Sequence, residues 1–474
     1  MGLYISEKVS ATEVLKFVSD ELGKADTYVH AFSLWKGAEL MAKLVFNPYS
    51  TQDKRQVYSV SKTITSTAIG IMRYEYGFDI DEKVINIFPD KCPENVSENL
   101  EKLTVRHLLT MTDGHDSCSM SRIANSDDGV RAYFEHEFKF EPGTEYVYNT
   151  GASYMLSAIV SRVTKMTMLE YLNKRLFEPL DINDVSWPFS GGNINEGGAG
   201  LRISFDDLEK VAQMYASNGR YGGKQILHPD WIRRATSYQS TGQPERDPDW
   251  RKGYGYQIWL NARGGFRADG AFGQYFIVIP EKEITMVFFC ESRNVEAQLP
   301  LCFDLADRIF EADPSREESE KELRKILKTT YLPLGGADAD NFNAEYILDD
   351  NINGYETVAL SSCGSELKLK LTKNGKSDTL TFANGAFSEN NIKAKGLLPQ
   401  LYSLVPHFRE ENCRFLASFE PAKGGARGEL RFLNCAHTVG ADIKFNNSEF
   451  YLKLSYIEDL KPPTAFELKG KLAD

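Results

Sequence analysis

The sequence predicts an α+β fold, with an antiparallel sheet flanked by helices and followed by a β-rich C-terminal part. Strand-like segments follow one another closely between residues 253 and 290, at the spacing of an antiparallel meander. Helical patterns with one apolar stripe lie on either side of that meander, for example over 298–310. Beyond residue 331, apolar and polar residues alternate with a period of two, which is typical of half-buried strands.

The elements of the first part can be predicted in chain order. The amphipathic segment 1–24 predicts a helix of the mature fold rather than a signal peptide, because charged residues interrupt its apolar positions. Two short strands joined at Lys36–Gly37 are predicted over 28–48, and mixed helices and loops continue to about residue 250. The meander is predicted to contain the strands 253–260, 266–270, 273–279 and 284–290. The helix predicted over 298–310 would cover one face of this sheet.

A run of mixed charges predicts a domain boundary. We expect a first domain over 1–312, a charged connecting helix or linker over 313–330, and a β-rich C-terminal domain of unknown role over 331–474. The alternating segments that predict strands in the last domain are 367–372, 378–385, 428–435, 449–457 and 465–472.

Composition disfavours several classes of partner. The 55 basic and 67 acidic residues give a net charge of -12, which repels nucleic acid and anionic lipid unless basic residues are clustered. No apolar run approaches the length of a membrane-spanning helix, so no membrane partner is expected. The seven cysteines are widely spaced and odd in number, which favours a reducing, cytoplasmic location.

The chemistry-bearing motifs are few. The seven histidines form neither a His-Glu-x-x-His motif nor a cluster with cysteines, so we expect no metal site, and no cofactor is predicted. The sequence also lacks a Gly-x-Ser-x-Gly elbow, a Walker A loop and a Gly-x-Gly-x-x-Gly motif. A serine followed by a lysine three residues later remains the candidate for nucleophilic catalysis, since helical spacing puts both on one face.

This Ser-x-x-Lys pattern occurs three times, beginning at Ser33, Ser59 and Ser365. Ser33 and Ser365 lie in alternating strand patterns, where positions three apart point to opposite faces. Only Ser59 begins a predicted helix, which has an apolar stripe and ends before Gly77. The alternative for Ser59 and Lys62 is a capping serine beside a surface lysine.

The segment YSVSKTITSTAIG (58–70) resembles the nucleophile helix of the serine β-lactamase and penicillin-binding-protein superfamily, in particular its class C-like esterase and peptidase branch. The segments 103–115, 142–156 and 197–227 resemble further landmarks of this superfamily in the same order. The resemblance covers about residues 28–310 and implies the β-lactamase-like fold, with a helical subdomain beside the sheet.

The resemblance also implies site residues. Tyr148 matches the tyrosine that shares proton transfer with Lys62 after attack by Ser59, and Thr150 stands in the third place of that motif. How Lys62 and Tyr148 divide the proton transfer is left open. Histidines 107 and 115 are expected to pack in loops rather than to act as bases.

The third motif departs from the family pattern. Family members usually carry Lys-Thr-Gly or His-x-Gly there, whereas this chain has Ala268-Asp269-Gly270, without a basic residue. Gly270 still permits close backbone approach, and the amides of Ser59 and Ala271 are expected to form the oxyanion hole. Asp269 would repel a substrate carboxylate, and strand alternation puts Arg267 on the same face as Asp269. From their positions in the second and third motifs, Thr150, Asp269 and Gly270 are predicted to bind substrate.

We predict a serine hydrolase that cleaves a small-molecule ester, amide or peptide-like substrate through an acyl-enzyme on Ser59. The missing base favours an esterase or small-amide hydrolase. Two alternatives remain: a β-lactamase or D-amino-acid peptidase, and a binding protein on the same fold that has lost turnover. No nucleic-acid partner is expected, and assembly into a homo-oligomer is left open.

Overall fold

The structure is a computed structural model that describes residues 2–246, 248–337, 339–351, 354–392, 413–456 and 465–473. The chain divides into two compact units, Met1–Leu327 and Lys328–Asp474. Among the described residues, no helix combines the length and the apolar character needed to cross a bilayer.

The first unit is built on a seven-stranded antiparallel sheet. Its long central strands carry almost entirely buried side chains, because helices cover the sheet. In spatial order the strands are Leu3–Ile5, Glu39–Val45, Thr27–Lys36, Ile284–Ser292, Gln274–Ile279, Phe266–Gly270 and Trp259–Leu260. Three two-residue pairs lie outside this sheet: Arg55–Gln56 with Arg202–Ile203, Phe189–Ser190 with Ile194–Asn195, and Arg220–Tyr221 with Lys224–Gln225.

Most helices belong to the first unit. The α-helices are Ala11–Gly23, Val60–Tyr76, Val84–Ile87, Glu98–Lys102, Val105–Leu109, Met120–Ala124, Gly129–Phe134, Thr150–Thr164, Met168–Leu172, Phe205–Ala216, Pro229–Ala235, Pro248–Arg251, Val295–Arg308 and Arg316–Thr329. Short 3₁₀ or π segments cover Pro89–Lys91, Asn173–Phe177, Glu178–Leu180 and Pro280–Lys282. Two of the helices, Val60–Tyr76 and Thr150–Thr164, pack against each other and carry the candidate site.

Two predicted elements differ from the structure. The predicted N-terminal helix begins only at Ala11, because Leu3–Ile5 pairs with the strand Glu39–Val45 as an edge of the sheet. The predicted strand 253–260 is reduced to Trp259–Leu260. Gly253 and Gln257 have φ angles of +131° and +60°, which no regular strand accommodates.

The predicted connecting segment 313–330 contains the helix Arg316–Thr329. This helix is held by the first unit rather than being solvated on all sides. Arg316 donates to the carbonyl oxygens of Ile5, Ser6 and Val9 at 2.8–3.1 Å, and Leu323 and Leu327 are buried. The boundary between the compact units therefore falls after Leu327, near the C-terminal end of the helix.

The second unit consists of one ten-stranded sheet that closes on itself. Its strands are Ala339–Leu348, Thr357–Gly364, Glu366–Lys373, Lys376–Asn384, Ser388–Ile392, Cys413–Ala422, Gly425–Phe432, Thr438–Phe445, Glu449–Tyr456 and Ala465–Leu472. Closure comes from a parallel pairing in which Ala383 and Asn384 lie beside Ser418 and Phe419. Alternate residues such as Leu367, Leu369 and Leu371 are buried inside. Each of the five predicted strands overlaps one of these ten, although residue 457 lies outside the described residues.

Candidate active site

Ser59 stands at the N-terminus of the helix Val60–Tyr76. The residue before it, Tyr58, has a φ of +47°, so the chain turns sharply into the helix and leaves Ser59 on a cavity wall. Its hydroxyl makes no capping hydrogen bond to the helix. The alternative role of Ser59 as a capping serine is therefore not supported.

Lys62 is buried one helical turn after Ser59. Its Nζ atom lies 3.1 Å from Ser59 Oγ, 3.2 Å from Thr150 Oγ1 and 2.7 Å from the carbonyl oxygen of Gly198. The lysine is therefore not on the surface, as its alternative role would require. It links the nucleophile helix, the helix Thr150–Thr164 and the loop that contains Gly198.

Burial lowers the pKa of Lys62 to about 7, because removal from water disfavours its charged form. The negative charge of Asp269 and the nearby thiol of Cys118 oppose this shift. A lysine with this pKa is partly neutral near pH 7. A neutral lysine amine has a lone pair that can accept the proton of a hydroxyl group.

Tyr148 lies against Ser59 and Lys62. Its ring centroid is 4.8 Å from Lys62 Nζ, and its ring stacks on Trp259 at a centroid distance of 5.8 Å. Burial raises the pKa of the Tyr148 phenol, and an interaction with the Ser59 hydroxyl opposes that shift. The phenol is therefore protonated at neutral pH, and it is suited to donate a hydrogen bond rather than to act as a phenolate base.

The residue between Tyr148 and Thr150 organises the turn. Asn149 caps the helix Thr150–Thr164 by accepting from the Gly151 amide at 2.9 Å. It also accepts from the Ser119 amide at 3.0 Å and donates to Asp113 Oδ2 at 2.8 Å. His115 bonds the same carboxylate and is buried away from the cavity, as expected for a packing histidine. Asn149 and Asp113 had no predicted role, because the contact between them joins segments 36 residues apart.

The C-terminal end of the strand Phe266–Gly270 lines the same cavity as Ser59. A Cβ atom at Gly270 would lie 2.4 Å from the carbonyl oxygen of Val57, so only glycine allows this approach. The close approach brings Ala271 onto the same cavity wall as Ser59. Two backbone amides on one wall are the kind of donors that an oxyanion hole requires.

Asp269 and Arg267 share a face of this strand, as strand alternation predicted. Arg267 Nε donates to Asp269 Oδ2 at 2.9 Å. Burial raises the pKa of the Asp269 carboxyl above its ordinary value, and the charge of Arg267 opposes the shift. Asp269 lies on the cavity wall, whereas Arg267 is entirely buried behind it.

The cavity has a volume of about 360 Å³ and opens to solvent. Ser59, Tyr148, Asp269, Gly270 and Ala271 line it, whereas Thr150 lies behind them against Lys62. The other lining residues include Gln243, Arg246, Trp250, Trp259, Phe272 and Arg293.

Two arginines of this lining were missed by the sequence analysis. Arg246 forms an ion pair with Glu296 at 3.1 Å, and its guanidinium carbon lies 4.1 Å from the ring centroid of Trp250. Arg293 forms an ion pair with Asp26 at 3.5 Å. Neither arginine lies in a recognisable motif, so no signal in the sequence marked it. Within the described part of the chain, no group of three His, Cys, Asp or Glu residues could hold a metal ion.

Comparison with known proteins shows the family to which the chain belongs. The Beta-lactamase family matches residues 23–306, which is more than half of the chain. The chain belongs to the Beta-lactamase family. Its family membership and the hydrolases among its relatives indicate that the chain is a hydrolase.

One curated relative and two solved structures illustrate the similarity. The 6-aminohexanoate-dimer hydrolase of Paenarthrobacter ureafaciens is 23% identical over 287 residues, which are 55% of this chain and 72% of that protein. The crystal structure of a putative beta-lactamase from Bacteroides dorei covers 64% of this chain and 100% of its own, at 17% identity and a TM-score of 0.55.

The match to a second solved structure includes residues of both units. The octameric penicillin-binding protein homologue of Pyrococcus abyssi covers 97% of this chain and 99% of its own, at 16% identity and a TM-score of 0.52. The β-lactamase-like fold of the first unit is therefore shared with known structures, and so is the presence of a second unit.

Proposed function

We propose that this member of the Beta-lactamase family is a serine hydrolase that cleaves an ester or amide through an acyl-enzyme on Ser59. The observation that carries the proposal is the contact between Lys62 Nζ and Ser59 Oγ at 3.1 Å, at the edge of an open cavity. A hydroxyl group needs such a base because it is a weak nucleophile when protonated.

In the proposed reaction, neutral Lys62 accepts the Ser59 proton while Ser59 Oγ attacks the substrate carbonyl. The tetrahedral oxyanion accepts hydrogen bonds from the amides of Ser59 and Ala271. The C–O or C–N bond to the leaving group then breaks, and the proton passes to the departing oxygen or nitrogen. Water repeats the sequence on the acyl-enzyme, releases the acid and restores Ser59.

Tyr148 is assigned the relay of the proton to the leaving group. Because burial raises its pKa, the phenol holds its proton at neutral pH and can give it up only while it receives another from Lys62. The Ser59 hydroxyl, which contacts Lys62 Nζ at 3.1 Å and interacts with the phenol, supports this exchange because it lies between the two groups. Lys62 is then the base, and Tyr148 is the donor.

Substrate type follows from the charges on the wall. Asp269 stands where family members usually carry a basic motif, which supports an esterase or small-amide hydrolase. The two arginines Arg246 and Arg293 favour a second candidate, a β-lactamase or D-amino-acid peptidase that binds a carboxylate. Both arginines already pair with protein carboxylates, so we rank this candidate second.

The test compares alanine variants of Ser59 and Ser365, each of which begins a Ser-x-x-Lys pattern. Ser59→Ala should reduce hydrolysis of p-nitrophenyl butyrate to the background rate, whereas Ser365→Ala, on the exposed turn of the second unit, should leave it unchanged. Activity that survives in Ser59→Ala would overturn the proposal. Faster hydrolysis of nitrocefin than of the ester by the wild-type protein would favour the second candidate.

We also propose that the chain forms a homo-oligomer. The octameric state of the Pyrococcus abyssi homologue, which matches nearly the whole chain, supports this. Light scattering on the purified chain tests it, and a monomer at all concentrations would contradict it.

A further inference from the structure

Asp269 presents an unused hydrogen-bond acceptor to the cavity. Its Oδ2 atom accepts from Arg267 Nε, but among the described residues no donor bonds its Oδ1 atom. That oxygen is not among the buried atoms without a partner, and the side chain is 12% exposed on the cavity wall. A carboxylate oxygen in such a position favours a ligand that brings an N–H or O–H group.

Arg267 fixes the direction of this carboxylate. Its Nη1 atom donates to the carbonyl oxygen of Asp249 at 3.1 Å and to Asn261 Oδ1 at 3.0 Å, and its guanidinium lies 4.8 Å from the ring centroid of Trp250. Arg267 has no exposed surface. A ligand in the cavity therefore meets the carboxylate and not the cation that holds it.

The free oxygen lies near the proposed reaction centre. Asp269 precedes Ala271 by two residues, which corresponds to about 7 Å along an extended chain. Its charge also acts on Lys62 and Tyr148. A donor group that reaches Asp269 must therefore be within a few bonds of a carbonyl held between Ser59 and the Ala271 amide.

The cationic side chains of the cavity do not take the place of this donor. Arg246 is engaged with Glu296 and with Gln243, so its charge acts on Asp269 without a hydrogen bond between them, and Arg293 is engaged with Asp26. Each therefore has a protein partner, whereas half of the Asp269 carboxylate has none within the described residues.

We propose that Asp269 recognises an ammonium group close to the scissile carbonyl, so that the preferred substrates are aminoacyl esters or amides. The proposal rests on the proposed function, since it concerns the acyl part of the same substrate. It reverses the charge preference expected of a third motif that carries lysine.

Three ethyl esters of nearly equal size test the proposal on the full chain. Glycine ethyl ester carries an ammonium group, ethyl propionate carries a methyl group at the same position, and monoethyl malonate carries a carboxylate. We expect kcat/KM, divided by the alkaline hydrolysis rate of each ester, to be about tenfold or more higher for the glycine ester than for the propionate, and lowest for the malonate. This is the range expected for one charged hydrogen bond.

The outcomes separate the two proposals. Hydrolysis that depends on Ser59 but is equal or faster for the propionate or the malonate overturns the role of Asp269 and leaves the serine hydrolase standing. Absence of Ser59-dependent hydrolysis for all three esters overturns the role of Asp269, and it overturns the serine hydrolase as well only when p-nitrophenyl butyrate is also not hydrolysed.

A variant tests whether Asp269 causes the preference for the glycine ester over the propionate. Asp269→Asn should reduce the ratio of glycine ester to propionate about tenfold, because the amide removes the negative charge. Asp307→Asn, which removes a surface carboxylate paired with Arg263 and Lys282, is the matched control and should leave the ratio unchanged. A preference for the glycine ester that Asp269→Asn retains in full would overturn the assignment to Asp269.

Discussion

Lys62 Nζ donates a hydrogen bond to the carbonyl oxygen of Gly198 at 2.7 Å. A carbonyl oxygen can only accept, so this contact takes one N–H of the amine, and Thr150 Oγ1 is placed to take a second. The lone pair of a neutral Lys62 is then left for the hydroxyl hydrogen of Ser59. The proposed base is thus oriented by two groups that do not themselves react.

The pH dependence of kcat/KM should report the neutral fraction of Lys62. Because burial lowers the pKa of Lys62 to about 7, kcat/KM for p-nitrophenyl butyrate should fall about tenfold per pH unit below pH 7 and be constant above it. An ordinary lysine would extend the rise to about pH 10. Initial rates between pH 5 and pH 10 check this, and a rise that continues to pH 10 would contradict it.

Tyr148→Phe should lower kcat about 100-fold without moving the acid limb of the profile. The acid limb reflects the protonation of Lys62. The Tyr148 phenol is protonated between pH 5 and pH 10 because burial raises its pKa. Comparison of the two profiles is the measurement. Loss of the acid limb in Tyr148→Phe would assign the base to Tyr148 instead.

Thr150→Val should lower kcat about tenfold and shift the acid limb to lower pH. Valine removes a hydrogen-bond acceptor of Lys62, which further disfavours the charged amine. Thr150→Ser keeps the hydroxyl group and is the matched control. If Thr150→Val shifts the limb to higher pH, the orienting role of Thr150 is wrong.

Asn149→Ala should lower the free energy of unfolding of the first unit by about 3 kcal/mol. The change removes a helix cap and leaves the buried Asp113 without one donor. All five tryptophans lie in the first unit, so their fluorescence in urea follows that unit.

Asn294→Ala is the control for this prediction, because Asn294 caps the helix Val295–Arg308 from an exposed position. It should cost only about 1 kcal/mol. Equal losses for the two variants would show that the contacts of Asn149 beyond the cap are unimportant.

The nucleophile helix was predictable because its key contact is local. Ser59 and Lys62 are three residues apart on one helix, so helical geometry alone brings them together. The position of Tyr148 came from the family resemblance rather than from spacing. Gly198 could not be predicted, because it contributes a backbone carbonyl that any residue has, from a loop 136 positions away.

Long-range packing also explains what was missed in the fold. Alternation marked strands such as Glu366–Lys373, but it could not predict that the second sheet closes through Ala383 and Asn384. The strand predicted over 253–260 was wrong for residues 253–258, since Gln257 bends the chain and its carbonyl oxygen accepts from Thr63 of the nucleophile helix.

Direct observation of the acyl-enzyme tests the central claim. The protein is mixed with p-nitrophenyl butyrate, quenched in acid within milliseconds, and its intact mass and peptide map are measured. We expect one butyryl group, located on Ser59 in the wild-type protein and in Ser365→Ala, and absent from Ser59→Ala. A butyryl group on another residue during turnover, or an equal adduct in Ser59→Ala, would contradict the account.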